Sequence, residues 1–206
     1  MPPGSLAFDI GANRGHYSET LYELGARVVA VEPTRALAET IRRHYPKIAV
    51  EEIAVAATPS RLTLRLGAYD GHSTLSEEWT ERYPDRWVAT QEVDVTTLDA
   101  LIAHHGKPSF VKIDVEGYEA EVLRGLTVAL AALSFEYQCS SPHIALAATN
   151  LVEHLDRYEF ALARADSPLG QWGDVAHAHV AIEEHASADP NGYGDIYARQ
   201  LTRDVV

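Results

Sequence analysis

A single cysteine, Cys139, stands in a chain of 206 residues. One thiol excludes an internal disulfide and any paired-cysteine zinc knuckle, and leaves Cys139 as a reduced residue packed in or beside a strand. Positive charge is also scarce: 17 Lys plus Arg face 30 Asp plus Glu, for a formal charge of -13. No basic stripe is visible to offset a phosphate backbone, so nucleic acid is not an expected partner. Long apolar runs are absent as well. The Ala-rich stretch Leu126 to Leu133 falls well short of the roughly 20 residues a membrane span needs. Met1-Pro2-Pro3-Gly4-Ser5 carries no basic region followed by an apolar segment, and the expected setting is the cytoplasm, with no membrane partner. There is no internal repeat or low-complexity tract. With 46% apolar residues, the chain can fill the core of one domain over residues 1–206.

The apolar patterning alternates between strand and helix periods. Leu6 to Ile10 reads as a buried strand, residues 16–24 as a helix stopped by Gly25, and Arg27 to Val31 as a second strand. A helix opened by Pro33 and Thr34 runs toward Tyr45, and Lys47 to Ala56 reads as a third strand. Arg61 to Leu66 and Thr90 to Val95 then alternate as two strands around a polar insertion, residues 67–89, which reads either as a lid or acceptor wall or as a capped surface loop. Further strands are predicted at Ser109 to Val115, Ala132 to Tyr137 and Phe160 to Arg164. Helices are predicted at Thr97 to His104, Glu119 to Leu126 and Asn150 to Arg157, the last capped by Asn150. His177 to Ile182 and Asp195 to Leu201 read as a closing antiparallel pair. The sum is a three-layer α/β sandwich.

Within that frame, Phe8-Asp9-Ile10-Gly11-Ala12-Asn13-Arg14-Gly15-His16-Tyr17-Ser18 joins a strand to a Gly-rich turn and a helix start. About twenty residues later Glu32 ends the second strand, where a carboxylate accepts hydrogen bonds from ribose hydroxyls. The pair points to a nucleoside cofactor. Gly11, Asn13 and Gly15 depart from the dinucleotide spacing G-x-G-x-x-G. Asp9 suits a ligand with an ammonium head group, as in S-adenosylmethionine. Asn13 suits a left-handed turn, and the region Glu52-Ile53-Ala54 would wall an adenine ring.

These motifs, with Val31-Glu32-Pro33, Val95-Thr96-Thr97-Leu98-Asp99, Phe110-Val111-Lys112-Ile113-Asp114-Val115-Glu116-Gly117-Tyr118-Glu119, Val122-Leu123-Arg124-Gly125 and Phe135-Glu136, resemble the FkbM family of S-adenosylmethionine-dependent methyltransferases over roughly residues 6–140. The resemblance implies a class I methyltransferase (Rossmann-like) fold with seven strands, mostly parallel and closed by an antiparallel hairpin. It also implies O-methylation of a hydroxyl on a sugar or small natural product. Asp9, Gly11 and Gly15 match the motif around the methionine portion, with Asn13, Tyr17 and Ser18 beside them, and Glu32 matches the ribose-binding acid.

Methyl transfer to a hydroxyl requires alignment and removal of a proton. Asp114, at the carboxyl end of a core strand, is the first candidate for the polar centre; Glu136 and His143 are the others. Lys112 and Asp114 share a strand face, with Glu116 following in the turn. Asp114 and Glu136 could together bind a divalent cation, although direct hydrogen bonding is the favoured role and no metal ligand set is assigned. His72 and Ser73 lie in the insertion. His177, His179 and His185 permit a metal cluster without a short ligand pattern that demands one. Trp79, Trp87, Trp172, Tyr69 and Tyr83 could line a pocket or pack in the core. An NAD-linked oxidoreductase and a noncatalytic cofactor-binding protein of the same fold are the competing readings. No heptad selects a dimer face, and a homo-oligomer remains open.

Overall fold

The computed structural model describes residues 2–68, 72–165 and 167–201. Its ten strands are β1 Leu6–Ile10, β2 Arg27–Val31, β3 Ala49–Glu51, β4 Ala54–Val55, β5 Ser60–Gly67, β6 Trp87–Thr96, β7 Phe110–Ile113, β8 Ala132–Gln138, β9 Tyr158–Arg164 and β10 Tyr193–Gln200. The helices are α1 His16–Glu23, α2 Arg35–His44, α3 Glu77–Arg82, α4 Leu98–His105, α5 Glu119–Arg124, α6 Pro142–Leu155 and α7 Val175–Ala188. Seven strands form the main sheet in the order β3-β2-β1-β7-β8-β10-β9. The first five are parallel to one another, and β10 runs antiparallel between β8 and β9. This is the expected Rossmann-like, three-layer class I methyltransferase architecture.

Period-two alternation along the central strands separates the two cores. Leu6, Phe8 and Ile10 of β1 join Val111, Ile113, Leu133 and Phe135 against α4 to α7. Ala7, Val28 and Ala30 face the other way, toward Leu21 of α1 and Ile41 of α2. A strand buried on both faces reads as a continuous apolar run. Asp9 and Lys112, neighbours in register at the centre of the sheet, interrupt that run, and both are buried.

Three expectations need correction. Lys47 to Ala56 is not one strand: β3 pairs with β2 in the main sheet, whereas β4 pairs with β6 in a separate three-stranded sheet. Glu52 and Ile53 carry the chain from one sheet to the other. Secondly, the helix expected from Asn150 begins at Pro142, a residue whose missing N–H is no loss in the first turn; Asn150 is an exposed interior position. Thirdly, His177 to Ile182 is helical. Asp174 caps α7 by accepting from the His177 N–H at 2.9 Å, and Ala178, Ile182 and His185 are the buried positions, a spacing of four and three. The antiparallel closure is instead made by β9 and β10, with α7 between them.

The insertion is built on β5 and β6, which pair antiparallel, and α3 lies between them. Trp79 of α3 is buried against Gly117, where an added Cβ would come within 2.3 Å of its Nε1. The Thr74 hydroxyl donates to the Glu116 carbonyl at 2.7 Å. The insertion therefore grips the left-handed turn Glu116-Gly117 (φ 55° and 87°) that follows β7. Tyr69, Asp70 and Gly71 lie outside the described residues.

Where β1 leaves the sheet, Gly11 has φ +81°, and an added Cβ would sit 1.8 Å from the Asp114 carbonyl oxygen. Gly4 has nearly the same φ, +80°, with nothing within 4 Å. Gly4→Ala should therefore cost only the left-handed backbone penalty, about 1–2 kcal/mol. Gly11→Ala adds backbone overlap and should cost more than about 3 kcal/mol. Urea midpoints of the two variants check this, and equal losses would contradict it.

Candidate functional site

A cleft opens at the carboxyl ends of β1, β2, β7 and β8, the place where open α/β sheets collect ligands. Gly11, Asn13, Glu32, Ile53, Asp114, Glu116 and Glu136 line it, together with Pro33, Thr34, Leu37, Leu64, Ser73, Leu75 and Tyr118. A second opening next to it shares Gly11, Asn13 and Asp114 and adds Asp9, Tyr17 and Lys112. The sequence reading thus brings most of its candidates together. Gly15 and Ser18 line neither opening. Gly15 caps α1, and the Ser18 hydroxyl donates to Asp9 Oδ2 at 2.5 Å.

Glu32 is buried, and its two oxygens are seated on the backbone. Oε2 accepts from the Asn13 N–H at 2.8 Å and Oε1 from the Thr34 N–H at 2.7 Å. Burial raises its pKa even though both bonds favour the ionised form. Asn13 holds φ 52°, and its Oδ1 is buried with no hydrogen-bond partner. Asp9 is pushed up to about 6 by burial, with the Ser18 hydrogen bond and the Lys112 charge opposing. Lys112 lies between Asp114 Oδ2 at 3.1 Å and Asp195 Oδ1 at 2.9 Å, and its ammonium faces the Tyr17 ring at 5.7 Å. Burial works against its charge, but the two carboxylates prevail and hold its pKa above the ordinary lysine value.

At the other end of the cleft, Asp114, Glu116 and Glu136 present carboxylate oxygens all within 4.8 Å of one another. Burial, then the charges of Asp114 and Glu119, push Glu116 up to about 8. Glu136 is raised well above the usual carboxylate range by burial and then by Asp114, Glu116 and Glu119. Glu119 lies behind them, buried and accepting from the Val115 and Gly117 N–H groups at 3.1 and 3.3 Å; burial raises it to about 7. The three-acid arrangement can accept a proton or hold a cationic group.

His143 is not brought to these acids. It is 62% exposed, lines a separate groove and sits 2.9 Å from Glu78 Oε2. The three downstream histidines also stay apart from the cleft: His179 meets the Thr149 hydroxyl and His185 the Tyr137 hydroxyl. Trp79, Trp87, Trp172 and Tyr83 do not line the cleft; among the described residues its aromatic is Tyr118. Leu37, Leu64, Leu75 and Tyr118 were not anticipated as lining. Leu64 belongs to β5 at the base of the insertion and Leu75 to the insertion itself, whose docking depends on tertiary contacts that no local pattern records.

Because the folded pKa values of Asp9 and Glu119 lie above their ordinary ones, protonation favours the fold. Their contribution is fully present below the unfolded pKa and is lost as pH rises through about 6 and about 7. The ligand-free protein should therefore melt lower at pH 8.5 than at pH 5.5. Glu119→Gln should remove a share on the order of 2–3 kcal/mol of that slope. Thermal melts across pH check this; an unchanged slope in the variant would refute the assignment.

Comparison with known proteins agrees with the geometry. The Methyltransferase FkbM domain matches residues 9–162. Among solved structures, precorrin-6y C5,15-methyltransferase from Geobacter metallireducens GS-15 superposes at a TM-score of 0.45 and 13% identity, covering 98% of this chain and 82% of that one. A TehB-like SAM-dependent methyltransferase from Corynebacterium glutamicum gives 0.48 and 10%, covering 98% and 83%. Ribosomal protein L11 methylase from Lactobacillus delbrueckii subsp. bulgaricus gives 0.51 and 11%, covering 98% and 72%. At 11% identity the match to the L11 methylase is a likeness of fold alone. No curated protein sequence matches significantly. The matched domain contains the Gly-rich turn, Glu32, Asp114 and Glu136, and the chain belongs to the FkbM family of S-adenosylmethionine-dependent methyltransferases.

Proposed function

We propose that this methyltransferase acts on a hydroxyl of a small molecule, a sugar or natural product. The observation that carries this reading is the single cleft with Glu32 at one end and the Asp114, Glu116 and Glu136 carboxylates at the other. The residues fit S-adenosylmethionine. Glu32 offers a buried carboxylate for the ribose hydroxyls, and Asn13 Oδ1 is a buried acceptor still without a donor. Ile53 and Leu37 supply apolar walls for the adenine. Gly11, Asn13, Asp9 and Tyr17 surround the neighbouring opening, which suits the amino-acid tail. When bound, the cofactor supplies a methyl group on a sulfonium whose departure leaves a neutral thioether.

The chain's own work is then alignment and proton removal. Lys112 fixes Asp114 through Oδ2, so Asp114 orients the acceptor hydroxyl. Glu136 is the better proton acceptor: among the described residues no hydrogen bond occupies it, and burial with the neighbouring acids raises its pKa, which makes its carboxylate a stronger base than an ordinary glutamate. His143 is given no part in this scheme, since Glu78 engages it in the separate groove. Ser73 and Leu75 make the insertion an acceptor wall. Leu75 and Tyr118 also line that groove, which offers the acceptor a route into the cleft. The family assignment weighs against hydride transfer to NAD.

Transfer of an isotopically labelled methyl group from S-adenosylmethionine to a fractionated small-molecule extract tests the class and identifies the product by mass. An O-methylated product is expected, and labelling of protein or nucleic acid alone would overturn the reading. Glu32→Gln should weaken S-adenosylhomocysteine binding at least about tenfold, roughly 1.4 kcal/mol, in calorimetry. Glu136→Gln should leave that affinity near wild type, lower kcat by about 100-fold or more and abolish the acid limb of the pH profile. An acid limb preserved in the variant would assign the proton to another group.

A further inference from the structure

Away from the cleft, α4 ends in His104 and His105, beside the edge strand β3, which ends in Glu51. His105 Nε2 lies 2.8 Å from Glu51 Oε1, and the two imidazole rings meet edge to face with centroids 4.5 Å apart. One ligand atom from each of the three residues lies within 4.8 Å of the others. We propose that Glu51, His104 and His105 bind a single divalent transition-metal ion of the zinc type.

Two imidazoles and a carboxylate form a ligand set that zinc accepts, with water completing a tetrahedron. Bonds of about 2.0–2.1 Å place tetrahedral donors roughly 3.3 Å apart. The Glu51–His105 pair, at 2.8 Å, needs only to open slightly, and His104, which is exposed, has room to swing inward. The C-terminal end of a helix also favours a cation. The adjacent Arg27 guanidinium is engaged with the His105 carbonyl at 3.2 Å rather than with its ring. Imidazole donors distinguish this place from the Asp114, Glu116 and Glu136 group, whose oxygen-only set suits magnesium, manganese or calcium.

The ion would clasp α4 to the edge of the main sheet. The Glu51 carbonyl accepts the Glu32 N–H at 3.0 Å, so the clasped strand end is the one that seats the buried carboxylate of the cleft.

The test is calorimetric titration of chelator-treated full-length protein with zinc chloride, with cobalt(II) absorption as a second readout of tetrahedral coordination. One ion per chain and a raised melting temperature are expected. His104→Ala, a change at an exposed residue that leaves the fold intact by circular dichroism, and Glu51→Gln should each weaken binding by more than about 100-fold, since loss of even an outer-shell partner costs 10–100-fold. His44→Ala and His154→Ala, at exposed helical histidines elsewhere, should bind like wild type. Absence of binding to wild type, retention of tight binding in His104→Ala and Glu51→Gln, or its loss in Glu136→Gln would overturn the proposal.

Discussion

The cleft depends on one buried carboxylate shared between two chain exits. Glu32 leaves the end of β2, yet its oxygens take one N–H from the turn after β1 and one from the start of the α2 approach. An ionised group removed from water is costly unless hydrogen bonds replace its hydration. Those two bonds therefore do more than offset a penalty: they fix the left-handed Asn13 turn relative to Pro33 and Thr34. Each carboxylate oxygen retains acceptor capacity, because two backbone donors do not use all its lone pairs.

A second constraint acts across the sheet. Lys112 is buried at the centre of β7 and bridges Asp114 and Asp195, linking the parallel half of the sheet to the antiparallel strand β10. Removing one partner of such a group leaves charge uncompensated, which is far more damaging than replacing the whole set. The acids near it are correspondingly crowded. Burial first, and the charges of neighbouring carboxylates second, raise the pKa values of Glu116, Glu119 and Glu136, so like-charge crowding adds to the cost of desolvation. A cationic ligand entering the cleft would relieve it.

Much of this was legible in the residues because the strands at the sheet centre are short, apolar and bounded by glycine or proline. The first strand and the second match their predicted limits, and the Gly-rich turn and Glu32 are local features whose position follows from the fold. Legibility failed where tertiary context decides. Alternating His177 and His179 imitated a strand, while the buried residues Ala178, Ile182 and His185 carry a helical spacing. Lys47 to Ala56 carries a suitable strand composition throughout, but two sheets compete for it, and the chain divides at Glu52-Ile53. His143 follows β8 closely in sequence, yet Glu78 of the insertion holds it outside the cleft.

The grip of Trp79 and Thr74 on the Glu116-Gly117 turn has an evolutionary consequence. The side sheet contributes Leu64 and the segment beyond it contributes Ser73 and Leu75, whereas Glu32, Gly11 and Asn13 belong to the parallel half. Residues on the far wall can therefore diverge while those of the parallel half stay constant, provided an indole still fills the space opposite Gly117. Such a division lets one scaffold explore new chemistries of its guest through a handful of exchanges on a single appendage.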